Sequence, residues 1–217
     1  MNMKSLSLLL AFLALASTAR ADRFSNEFAR WEAHEATNPA PAGAVLFVGS
    51  STFTRWHSMH QMMAPLDVCK RGFGGSTMAE TLMHTNHFMP YRCTRVVVYQ
   101  GDNDLCRADL SPAMFVAHCQ AFVAAMRATQ PQRQIFFLSV KPSIARWRLF
   151  DKQSAANTLL RVYAQRTPGV HFIDIVPLLL DDKLQPDPAF FVQDNLHVNE
   201  QAYQRFAAEI RVALNAQ

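Results

Sequence analysis

The chain has 217 residues, half of them hydrophobic and 18% charged, with 21 basic and 17 acidic side chains giving a net charge of +4. That length suits one domain with a sizeable core. A mild basic excess with no Lys/Arg run and no aromatic-basic stripe gives no case for nucleic-acid binding, and no repeat, low-complexity block or linker divides the chain.

The first element reads as a leader. Lys4 gives a positive start, Ser5 to Ala16 is a short apolar run, and Ala19-Arg20-Ala21 puts small residues where a signal peptidase reads. The pattern predicts a secretory signal peptide over residues 1–21, cut after Ala21. Residues 22–217 would then form a single secreted or periplasmic domain. The apolar run is short for a bilayer span and no later segment approaches the needed length, so no stable membrane insertion is expected after cleavage. Cleavage would remove Lys4 and Arg20 and no acid, lowering the charge from +4 to +2.

A helix is predicted over Arg23 to Glu35, followed by Asn38-Pro-Ala-Pro-Ala-Gly43. Short β-rich runs then alternate with helical patterns. Strands read at Val45–Val48, weakly at Val68–Lys70, then at Arg95–Gln100, Gln134–Val140 and Val170–Ile173. The third holds Val96, Val97 and Val98 in succession, as a strand covered on both faces should. Thr77 with Glu80 forms a capping box for a helix near residue 78. Ser111-Pro112 caps a helix running to about Ala128. Asp151 to Gln165 is a third helix. Asn199 caps a last one over Glu200 to Leu214, with Ala202, Phe206, Ile210 and Leu214 recurring every four residues. Strands alternating with helices imply a parallel α/β sheet with its functional loops at the carboxyl ends of the strands.

Four short motifs fall at such ends. Gly49-Ser50-Ser51 follows the first strand, Arg71-Gly72-Phe73-Gly74-Gly75-Ser76 the second and Gly101-Asp102-Asn103-Asp104 the third, while Asp194-Asn195-Leu196-His197 lies near the carboxyl terminus. Each supplies a part that acyl transfer needs. A serine hydroxyl requires a base, and an imidazole is suited to that task. A carboxylate three residues earlier can face it if the two share a helical turn. A glycine N–H before a capped helix and an asparagine amide are fixed dipoles able to hold an oxyanion. Taken one at a time, each motif also reads as an ordinary turn or helix cap.

Together, VLFVGSS, RGFGGS, YQGDND and DNLH resemble the four blocks of the SGNH hydrolases, the GDSL-type esterases and lipases, and are similar to the branch that includes platelet-activating-factor acetylhydrolase catalytic subunits. The likeness runs from about Val45 to the carboxyl terminus. It implies a three-layer α/β/α sandwich on a five-stranded parallel sheet, of flavodoxin-like type. It also implies a serine esterase with Ser51 as nucleophile, His197 as base and Asp194 orienting it. The oxyanion hole would use Ser51, Gly75 and Asn103, with no metal and no cofactor. Ser50 stands where the family name has aspartate, as in a bacterial branch that reads Gly-Ser-Ser. Ser51 would also begin the next helix, whose dipole favours developing negative charge.

The weaker signals have two readings each. His57 with His60 and His84 with His87 have a spacing metals can use, but neither pair has an obvious carboxylate partner, and helix surface is the expected place for both. Lys141, Arg146 and Trp147 follow the fourth strand and would either line the substrate pocket or form a solvated loop anchored by Trp147. The same holds for Arg55 and Trp56, and the basic residues hint at an anionic group on the substrate. Met59, Met62 and Met63 read as core filler. The four cysteines, Cys69, Cys93, Cys106 and Cys119, suggest one or two disulfides of open pairing in an exported protein. The expected activity is hydrolysis of small-molecule or saccharide esters with a short, acetyl-type acyl group. A carbohydrate O-acetylesterase of cell wall or exopolysaccharide is one alternative. A non-catalytic envelope binding protein on the same fold is the other.

Overall fold

The computed structural model describes residues 22–215, so the predicted leader lies outside the described residues. Five parallel strands form one sheet in the order β2-β1-β3-β4-β5. They are β1 Val45–Gly49, β2 Val68–Gly72, β3 Arg95–Tyr99, β4 Gln134–Leu138 and β5 Val170–Ile173. The register sets Gly49 beside both Gly72 and Tyr99, so the first three strands end level with one another. The order reverses between β1 and β3, and the loops leaving those two strands diverge to open a crevice.

Among the described residues seven α-helices cover the sheet: α1 Ser25–Thr37, α2 Ser51–Thr54, α3 Met59–Met63, α4 Met78–Met83, α5 Pro112–Thr129, α6 Phe150–Arg166 and α7 Glu200–Asn215. The period-two alternation of each strand assigns its side chains to two cores. Leu46, Val48, Val96, Val98, Ile135 and Phe137 pack toward α1, α4, α5 and α6. Val45, Phe47, Val97, Tyr99, Phe136 and Leu138 pack toward α2, α3 and α7. Each such side chain, fully withdrawn from water, contributes about 1.5–3 kcal/mol. The helical face Ala202, Phe206, Ile210 and Leu214 is buried as its spacing predicts. This is the three-layer α/β/α sandwich that the motifs imply.

The predicted caps form. Thr77 and Glu80 close a capping box on α4, the Ser111 hydroxyl accepts from the Met114 N–H on α5, and Asn199 Oδ1 accepts from Ala202 N on α7. Strand β2, weak by sequence, runs two residues further than its pattern predicts, because β1 supplies a partner along its whole length. Met59 and Met63 are buried core, with Met62 packed at the edge.

Two expectations need correction. All four cysteines are free thiols. Cys69, Cys93 and Cys119 are buried in the apolar core, where a thiol packs as a small hydrophobe, and burial pushes Cys69 up to about 12. Cys106 is exposed and donates to the Asp102 carbonyl at 3.2 Å. The pair His84 and His87 is not plain surface either. His84 lies 2.8 Å from Asp22, while His87 meets Glu32 at 3.3 Å and stacks on Phe28, so both rings brace α1 against the segment after α4. Among the described residues no group of three or more His, Cys, Asp or Glu is placed to hold a metal ion.

Candidate active site

The segment after β1 turns sharply into the four-residue helix α2. Ser50 is its extended cap and is buried; its carbonyl accepts from the N–H groups of Phe53 and Thr54. Ser51 is the first helical residue and lines a cleft of about 350 Å³. The two serines thus divide the work, one building the turn and the other presenting a hydroxyl. Helix α7 holds the turn in place: the Tyr203 hydroxyl donates to the Thr52 carbonyl at 2.8 Å, and the Tyr203 ring stacks on Trp56. Trp56 is therefore fully buried core rather than part of the cleft.

His197 Nε2 lies 3.0 Å from Ser51 Oγ, and its Nδ1 lies 2.6 Å from Asp194 Oδ2. Asp194 and His197 do not share a helical turn, as their spacing suggests. Asn195 takes a left-handed conformation at φ 56°, and Asp194 Oδ1 accepts from the N–H groups of Leu196 and His197 at 3.0 and 2.8 Å. The result is an Asx turn, and a short polar side chain such as Asn tolerates the left-handed position. Burial opposes the charge on Asp194, but the His197 and Leu196 N–H groups and the imidazole outweigh it and hold the carboxyl well below the usual range. A carboxylate on Nδ1 fixes the proton there, leaving Nε2 to accept from the Ser51 hydroxyl.

Gly74, Gly75 and Asn103 line the same cleft. Gly75 has φ 77°, a region open to glycine at no cost. The Asn103 amide donates one N–H to the Ser76 carbonyl at 3.0 Å, which leaves the second for the cleft. Arg146 Nη2 donates to Asn103 Oδ1 at 3.3 Å and so fixes which end of that amide is the donor.

The loops are stitched together by polar groups the sequence did not single out. Asp104, fully buried, accepts from Met78 N at the start of α4 and from Gly101 N. Burial pushes its carboxyl up to about 6. The Gln100 amide donates to Ser76 and Thr81. Burial works to raise Asp102 as well, but Lys141, the Tyr99 hydroxyl at 2.6 Å and Arg146 together hold it below the ordinary carboxylate range. Aspartates beside a strand end are a visible signal; their partners, far off in the chain, are not.

Of the three predicted substrate-binding residues, one lines the cleft. Arg146 does so while donating to the Asp102 carbonyl at 2.7 Å. Lys141 is buried: its Nζ donates to the Leu196 carbonyl at 2.8 Å and lies 3.2 Å from Asp102 Oδ2. Trp147 stacks on Phe150 and does not line the cleft. A buried ammonium needs a paired carboxylate, which turned Lys141 inward, and a ring with a stacking partner stays on it. Arg55 lines the cleft and reaches Asp194 Oδ2 at 3.5 Å.

A family model described as the GDSL-like lipase/acylhydrolase family matches residues 37–205. No curated protein sequence matches the chain. Among solved structures, a protein of Streptococcus pneumonia provisionally described as a platelet activating factor is 17% identical at a TM-score of 0.76, covering 87% of this chain and 91% of that one. A GDSL-like lipase from Bacteroides thetaiotaomicron is 18% identical at 0.73, over 87% and 97% of the two chains. A carbohydrate esterase family 3 protein from Talaromyces cellulolyticus is 16% identical at 0.63, over 80% and 96%.

Proposed function

Because this chain belongs to the GDSL-like lipase/acylhydrolase family, whose members hydrolyse esters, we propose that it is a serine esterase working through Ser51, His197 and Asp194. Ser51 Oγ attacks the ester carbonyl while His197 Nε2 takes its proton. Asp194 keeps Nδ1 protonated and stabilises the imidazolium that forms. The negative charge on the carbonyl oxygen is met by the N–H groups of Ser51 and Gly75 and the second N–H of the Asn103 amide. His197 then gives its proton to the leaving alcohol. Water, deprotonated by the same imidazole, releases the acyl group from Ser51.

The observation that carries this reading is the continuous line of contacts from Asp194 Oδ2 through His197 to Ser51 Oγ, at 2.6 and 3.0 Å. The test is Ser51→Ala: turnover of p-nitrophenyl acetate and labelling by a fluorophosphonate probe should both vanish while the thermal unfolding curve is unchanged. Full activity in a folded Ser51→Ala variant refutes the assignment.

The acyl group is short and the alcohol polar. Leu196 supplies the only apolar side chain of the cleft among the described residues, so a fatty chain would find few partners there. That polarity favours a saccharide O-acetylesterase as the second reading, a class represented by the Talaromyces carbohydrate esterase among the structural neighbours. Activity across acyl lengths and acetylated saccharides separates the two. The leader pattern supports export, with a mature amino terminus at Asp22 that mass spectrometry of the expressed protein would reveal.

A further inference from the structure

The charges around Ser51 do not cancel within the cleft. Asp102 is answered by both Lys141, at 3.2 Å, and Arg146, at 3.6 Å. Asp194 meets His197 Nδ1 and also lies 3.5 Å from Arg55. Lys141, Arg146 and Arg55 thus face two carboxylates, which leaves one positive charge in excess, and Arg55 is the most exposed of the three. Its side chain is 52% exposed on the cleft wall, and its one carboxylate contact among the described residues is the 3.5 Å approach to Asp194, at the far end of hydrogen-bonding range. A guanidinium has five N–H groups, so most of this one's donors face outward. Arg146 is different. Its fork is committed to the Asp102 carbonyl and the Asn103 amide, and it adds to the positive field without offering a full binding face.

The placement of Arg55 says which part of an ester it meets. His197 must hand a proton to the leaving oxygen, so the alcohol portion lies on the imidazole side of Ser51. Arg55 touches Asp194 behind that imidazole, hence on the same side. We infer that the ester hydrolysed here is a small acyl group on the hydroxyl of an anionic compound, such as an acidic saccharide, whose carboxylate or phosphate is taken by Arg55. This rests on the esterase reading above. The net reaction is unchanged: water splits the acyl–oxygen bond into a carboxylic acid and the anionic alcohol, and no further reactant is needed.

The test compares matched esters. 4-Acetoxybenzoate carries an anion on the leaving group, and its methyl ester does not. p-Nitrophenyl 4-sulfobutanoate carries the anion on the acyl side, with p-nitrophenyl pentanoate as its neutral counterpart. Each kcat/KM is divided by the rate of hydroxide hydrolysis of the same ester. The leaving-group anion should be preferred about tenfold, as for one charge-assisted contact at a half-exposed site. That preference should fall to near unity in Arg55→Gln, survive in part in Arg55→Lys, and shrink in about 0.5 M NaCl. A wild-type ratio at or below one overturns the inference. So does a ratio unchanged in Arg55→Gln, or a preference for the acyl-side anion alone. Hydrolysis of the neutral esters without an anion preference would sink only this inference. If none of the four esters is hydrolysed, the esterase reading fails and takes this one with it.

Discussion

At the scale of single residues, Asp194 is the group whose role can be separated from mere presence. Asp194→Asn keeps the size and offers an oxygen to the turn N–H groups, but it no longer requires a proton on Nδ1 of His197. The wrong tautomer should then lower kcat by about three to four orders of magnitude with little change in KM, measured on p-nitrophenyl acetate. Asn103→Ala should cost about 10²–10³-fold in kcat, the usual loss for one oxyanion donor, and should leave fluorophosphonate labelling slow rather than absent. Gly101 governs a neighbouring position. At φ 115° it occupies a conformation that side chains avoid, and a Cβ there would lie 2.4 Å from Val140 Cγ2. Gly101→Ala should therefore lose at least about 2 kcal/mol of stability in urea unfolding, through strain and displacement at the strand end.

At the scale of elements, the site is only as well placed as its loops. Arg146, in the segment after β4, bonds both the Asp102 carbonyl and the Asn103 amide, so it orients the side chain proposed as an oxyanion donor from another loop. Arg146→Met should lower kcat on neutral p-nitrophenyl acetate by about tenfold or more while KM moves little, because the amide becomes free to turn. Asp104 joins α4 to the loop after β3. Its folded pKa of about 6 lies above the ordinary aspartate value of 3.8, so the folded state holds a proton that the unfolded chain has lost between those values. Its contribution to stability is complete below about pH 3.8 and is lost as pH rises through about 6. The stability gap between the wild type and Asp104→Asn should thus narrow from about pH 4 to about pH 7, by up to about 3 kcal/mol in urea titrations. The sequence revealed this scale unevenly. Val96 to Val98 announced a doubly covered strand, and Thr77 with Glu80 announced a helix start, because local chemistry decides both. Lys141 did not announce its burial, since its partners Asp102 and the Leu196 carbonyl are distant in the chain and only folding brings them near. The turn at Asn195 stays open in the sequence for a related reason: a three-residue spacing fits a helix and an Asx turn equally, and only the backbone separates them.

At the scale of the whole molecule, the framework owes its stability to two apolar layers and not to crosslinks. Four free thiols, three of them buried, predict that a reductant leaves the melting temperature unchanged. Titration with a disulfide reagent should count one reactive thiol, Cys106, in the native protein and four after denaturation. A native count of zero with four after reduction would show crosslinks instead. The even number of cysteines could not foretell this, because their spacing carries no record of which face of the sheet each one joins. The meeting of Ser51 with His197, by contrast, is legible because their loops lie at the same edge of a parallel sheet, where topology does the gathering.

The hydroxyl and the imidazole that meet at 3.0 Å are 146 positions apart, one near the beginning of the domain and one close to its end. If Ser51 and His197 work as proposed, a chain made or delivered amino end first exposes its attacking group long before the group that arms it. On the proposed mechanism, until His197 and helix α7 behind it have emerged and docked it cannot cut the esters of whatever compartment it passes through, and any product broken off before that histidine is born harmless.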